Sequence, residues 1–120
     1  MSKKAVLRIR RDSETAMTEM GKRFITAWKT GRSSSQVFTF ESPAALFRVL
    51  TPKRWELVEC LQSLGPVSVR GLARSLHRDV KRVHEDVAAL LQVGLVEKTE
   101  RNKIHVPFAV IEADFALRAA

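Results

Sequence analysis

Arg78, Lys81, Arg82 and Glu85 lie close together in a segment whose spacing is helical. Their chemistry suits the edges of DNA bases. Guanidinium and ammonium donors match the O6 and N7 acceptors of guanine, and a carboxylate can accept from a cytosine amine or orient a neighbouring arginine. A wider set surrounds them: Lys53, Arg54, Arg70, Arg74, His77, Lys98, Arg101 and Lys103. These fall at helix starts, in a turn and in a hairpin, where donors meet phosphate oxygens rather than bases. The competing explanation for any such set is a solvated charged face.

Other chemistries find less support. His77 and His84 lie seven residues apart across a turn, and His105 is remote from both. With no cysteine pair and no His-Glu-x-x-His run, a metal site is not expected. His84 borders the apolar positions of its helix and is expected to pack there. Glu85 and Asp86 are adjacent, so they point to different faces and cannot share acid–base work. Glycine-rich phosphate loops and nucleophile elbows are missing from the sequence. No enzymatic activity and no cofactor is therefore expected. An RNA-binding or RNA-cleaving protein would need an aromatic platform on an exposed strand, which the sequence does not offer.

The elements that must position the four residues run from Pro66 to Pro107. Asp79 is a good N-cap. Val80, Val83, Val87, Leu90 and Leu91 then recur at the spacing of one buried helix face, and Gly94 can end the helix in a left-handed conformation. The opposite face carries Lys81, Arg82, Glu85 and the small Ala89, with Arg78 just before the cap. A shorter helix precedes it, capped by Ser68 and apolar at Leu72, Ala73 and Leu76, with Val67 as a strand residue leading in. The turn is Leu76-His77-Arg78-Asp79, about the length a helix-turn-helix uses. Two partly alternating segments, 95–99 and 103–107, flank a polar break containing Asn102 and predict a hairpin.

A hairpin directly after such a helix is the wing of winged-helix proteins. The run AALLQVGLVEK, residues 88–98, resembles the helix end and first wing strand of MarR-like prokaryotic regulators. The longer stretch from Glu41 to Lys98 is similar to a small family of winged-helix regulators, some of which sit beside toxin-like genes. The resemblance covers Phe38 to the C-terminus well and the first third loosely. It implies a winged helix-turn-helix domain over 42–107 and a repressor-like transcriptional regulator.

The composition agrees with those partners. The chain has 120 residues and a formal charge of +8. Residues 1–32 contribute +6, residues 33–65 balance, residues 66–105 contribute +3, and the rest −1. A basic surplus favours a polyanion such as nucleic acid. The length suits one domain, and no run is apolar enough to span a bilayer. The N-terminus lacks a signal-peptide core, so the expected compartment is the cytoplasm. The single cysteine, Cys60, falls within a helical apolar pattern and is expected to be a small packing residue.

Taken in order, residues 3–11 alternate as a strand with Ala5, Leu7 and Ile9 on one face and Val6, Arg8 and Arg10 on the other. A helix is expected from residue 12 to about 30, then a connector over 31–35 and a second strand over 36–41. Ser42-Pro43 starts a helix with Leu46, Phe47 and Leu50 inward. Thr51-Pro52 starts another with Trp55, Leu57, Val58, Leu61 and Leu64 inward. Residues 108–117 alternate as a further strand. The expected architecture is thus α+β: a winged helix-turn-helix over 42–107, a strand-helix-strand extension over 1–41, and a C-terminal strand over 108–120. The expected function is sequence-specific binding of double-stranded DNA as a homodimer. The alternative is an antitoxin or adaptor that grips a toxin-like partner protein through 1–41 or 108–120 and regulates itself through DNA.

Overall fold

The computed structural model describes residues 3–10, 35–117 and 119. The chain is α+β. Its described elements are β1 (Lys3–Ile9), β2 (Ser35–Phe40), α1 (Pro43–Val49), α2 (Pro52–Leu64), α3 (Val69–Leu76), α4 (Val80–Val93), β3 (Glu97–Lys98), β4 (Ile104–His105) and β5 (Phe108–Asp114). The expected helix over 12–30 and most of the connector after it lie outside the described residues. Length alone suggests one domain, but the contacts group into two units. One is Met1–Leu46 with Val110–Ala120, and the other is Phe47–Ala109.

The first unit holds a three-stranded sheet in the order β2-β1-β5. β1 and β2 are parallel, in register from Lys4 opposite Ser35 to Ile9 opposite Phe40. A parallel pair needs a crossover of about a dozen residues or more, and residues 10–34 are long enough for one. β1 is the central strand, and side chains on both of its faces are buried: Ala5, Val6 and Leu7. That corrects the expectation that Val6 shares an outward face with the arginines. Lys4 and Arg8 reach Glu112 and Asp114 of β5 at 3.2 and 3.5 Å. β5 ends at Asp114 rather than continuing to Leu117.

The helices have ends that are written into the sequence; α1 begins in the first unit, and α2, α3 and α4 lie in the second. A hydroxyl cap followed by proline starts two of them. Ser42 Oγ accepts from the Ala45 amide at 3.0 Å before α1, and Thr51 Oγ1 accepts from the Arg54 amide at 3.3 Å before α2. Ser68 Oγ accepts from the Gly71 amide at 3.0 Å and starts α3. Asp79 Oδ2 accepts from the Arg82 amide at 3.2 Å and starts α4. At its far end Gly94 takes φ 102° and donates to the Leu90 carbonyl at 3.0 Å. That left-handed backbone favours glycine.

Leu57, Val58 and Leu61 of α2, Leu72 and Ala73 of α3, and Val83, Val87 and Leu90 of α4 are buried. Each buried leucine or valine stabilises by about 1.5–3 kcal/mol when removed from water. Six expected inward helix residues differ: Phe47, Leu64 and Val80 are exposed, and Trp55, Leu76 and Leu91 are half-buried. Cys60 is half-buried.

The hairpin pairs Glu97 with His105 and Lys98 with Ile104. Its tip is a three-residue loop closed by Thr99 and Lys103, with Asn102 in the left-handed region at φ 62°. Asn is among the few residues that tolerate that conformation. Val67 and Ile104 exchange backbone hydrogen bonds at 3.0 and 2.8 Å, which ties the hairpin to the segment entering α3.

Candidate nucleic-acid interface

The inner face of α4, formed by Val83, Val87 and Leu90, leaves the other side of the helix open. Lys81, His84, Glu85, Ala88 and Gln92 are all exposed there. Their spacing, i, i+3, i+4, i+7 and i+11, makes one continuous stripe. Arg82 is also exposed, to one side of it. His84 is therefore not the packing residue its position suggested. The small residue at the middle of the outward face is Ala88, while Ala89 is half-buried. The sequence held a usable signal: the outward stripe is the complement of the buried positions 83, 87 and 90. Including Val80 and Leu91 in the buried set moved its centre toward His84 and hid that residue.

Arg78 belongs to a different arrangement. Its Nη2 donates to Asp86 Oδ2 at 2.8 Å, and Arg54 Nε donates to Asp86 Oδ1 at 3.0 Å. Arg54 Nη1 also donates to the Val49 carbonyl at 2.8 Å. Asp86 thus bridges the first turn of α2, the turn before α4 and α4 itself. Burial raises the pKa of the Asp86 carboxyl, but the hydrogen bonds and charges of the two guanidiniums outweigh it and hold it below the ordinary value. The Arg78 side chain is only 16% exposed. Arg78, expected to read bases, and Arg54, expected to contact phosphate, are both paired with Asp86 and clamp α4 in place. Both arginines look like surface donors in the sequence, since Asp86 lies 32 residues from Arg54.

Beside this clamp lies an open groove of about 500 Å³ lined by Thr51, Lys53, Arg78, Arg82, Glu85 and Asp86. It brings the exposed Lys53 of α2 and the exposed Arg82 and Glu85 of α4 to one surface. Arg70 and Arg74 of α3 are exposed. His77 is exposed in the turn, at φ 54°, with its amide donating to the Arg74 carbonyl at 3.2 Å. Lys98, Arg101 and Lys103 are exposed on the hairpin. His105 Nε2 lies 3.9 Å from Glu97 Oε2. Among the described residues no three His, Cys, Asp or Glu side chains converge, and no helix is long and apolar enough to cross a membrane.

No curated protein and no solved structure matches the chain. Residues 49–113, more than half of its length and containing α2, α3, α4 and the hairpin, match the family described as HVO_A0114. The chain belongs to that family.

Proposed function

We propose that the second unit is a winged helix-turn-helix, similar to MarR-like regulators, that binds double-stranded DNA in a sequence-specific way. In this reading α3 and α4 are the two helices of the motif and the β3–β4 hairpin is the wing. The observation that carries it is the continuous outward stripe of α4, with Lys81, His84 and Glu85 on it and Arg82 beside it. A helix fits the major groove, and these side chains present donors and an acceptor to base edges. Lys53, Arg70, Arg74 and His77 would hold phosphates, and Lys98, Arg101 and Lys103 would reach the flanking backbone or minor groove.

The protein would act as a homodimeric transcriptional regulator. Two copies would place α4 and its counterpart roughly 34–36 Å apart, in successive major grooves. Selection from random duplex DNA tests this. A palindromic site with half-sites about 10 base pairs apart is the expected product. Failure to enrich any sequence would overturn the reading.

A second reading is favoured by Val110 and Leu117, which leave large apolar area exposed in the first unit. An adaptor or antitoxin would use such side chains to grip a partner protein, with DNA binding serving autoregulation. Co-purification of a second polypeptide with the full chain, lost on Val110→Asp, would support it.

A further inference from the structure

Val80 is the first residue of α4, and its helical spacing places it with the buried valines. The structure leaves it 42% exposed, whereas Val83 and Leu90 are fully buried. The residues at i+4 and i+8 from it, His84 and Ala88, are exposed as well. Val80 therefore lies at the edge between the buried valines and the exposed His84, left uncovered at the N-terminal end of α4. Asp79, Lys81 and Arg82 flank it, and all three are exposed and charged.

We infer that Val80 is a specificity determinant that packs against the C5-methyl group of a thymine. This rests on the reading above, in which α4 lies in the major groove. Residues at the N-terminal end of such a helix are the ones that meet base edges. Most of what the groove presents there is a hydrogen-bond donor or acceptor, which a valine cannot satisfy. The thymine methyl is the apolar exception, and apolar side chains are its natural contact. Set against a guanine or cytosine edge, Val80 would desolvate a polar group without replacing its hydrogen bond. The charged neighbours argue against an apolar protein surface as the occupant, because Asp79, Lys81 and Arg82 would be desolvated with it.

The test removes the methyl from the DNA before altering the protein. The full chain is titrated with its selected duplex, in which each thymine is replaced in turn by deoxyuridine. One thymine per half-site should show a loss of about fourfold, the worth of one methyl group taken out of water. The same scan on Val80→Ala should be flat at that position, while the salt dependence of binding stays unchanged. Helical circular dichroism checks that the variant is folded. A flat scan with the unaltered protein overturns the inference even if it never reaches the variant. A uracil penalty that persists in Val80→Ala assigns the methyl to another side chain and overturns it too. If selection yields no preferred sequence, the major-groove reading itself has failed. If a sequence is selected and its thymines prove indifferent, only the role of Val80 has.

Discussion

Replacing Asp86 by asparagine should cost more stability than any other single change at the charged surface of α4. The carboxylate takes one guanidinium at 3.0 Å and another at 2.8 Å, with side chains 16–22% exposed. At an effective dielectric constant of about 20, each pair gains roughly 4 kcal/mol of Coulomb energy before desolvation is subtracted. Removing one partner from a fully buried pair costs about 3–5 kcal/mol, and from an exposed pair about 0–1. Asp86 lies nearer the buried limit, so Asp86→Asn should lose about 2–3 kcal/mol at neutral pH. Asparagine keeps the volume, but it offers one oxygen and turns an NH₂ toward an arginine that has only donors.

The pH dependence supplies a sharper check. The folded-state pKa of Asp86 lies below its ordinary value of 3.8. Its contribution is therefore fully present above that value and is lost as pH falls through the folded pKa. Urea unfolding followed by helical circular dichroism should show the gap between the two proteins steady above the ordinary value and closing below it. A cost under about 0.5 kcal/mol, typical of a surface substitution, would refute the clamp. So would a gap that stays constant through the acid range.

The remaining expectations concern the outward surface and the helix start. Arg82→Ala should weaken binding to the selected duplex by about 1–3 kcal/mol and flatten preference at one base pair, measured by fluorescence anisotropy on single-base variants. Equal loss on all sequences would place Arg82 on the backbone instead. Arg101→Ala should weaken all duplexes about equally and reduce the dependence of log affinity on log salt by about one counterion. A loss confined to one sequence would contradict its wing role. Asp79→Ala should cost about 1 kcal/mol by removing the cap that accepts the Arg82 amide, read as a shift in urea midpoint.

Local signals carry the helix ends and the hairpin tip. Ser42-Pro43 and Thr51-Pro52 name two helix starts, Ser68 and Asp79 two more, and Gly94 a stop, because a cap depends on residues within one turn. Asn102 marked the hairpin tip for the same reason. The alternation over 3–11 suggests one apolar face, yet Val6 is buried too, because what covers a strand is not written in its own residues. Val80 shows the limit of periodicity. A repeat says which way a side chain points, but not whether the neighbouring element extends far enough to cover it.

The same limit holds for the arginines. Arg54, Arg78 and Arg82 are chemically alike, and all three sit at or near a helix start. What separates them is Asp86, half a turn further round α4 than the outward stripe and within reach of only two of them. Proximity along the chain pairs Asp86 with Arg82 at the i−4 position, yet the fold gives it Arg54 from another helix. One carboxylate thereby divides a cluster of like charges into a structural pair and a free outward donor. A helix held by two guanidiniums from behind can present Lys81 and Glu85 at a fixed angle. If α4 lies in the major groove as proposed, loss of the clamp should blur base discrimination before it reduces phosphate binding, since phosphate contacts tolerate more displacement than base-edge hydrogen bonds.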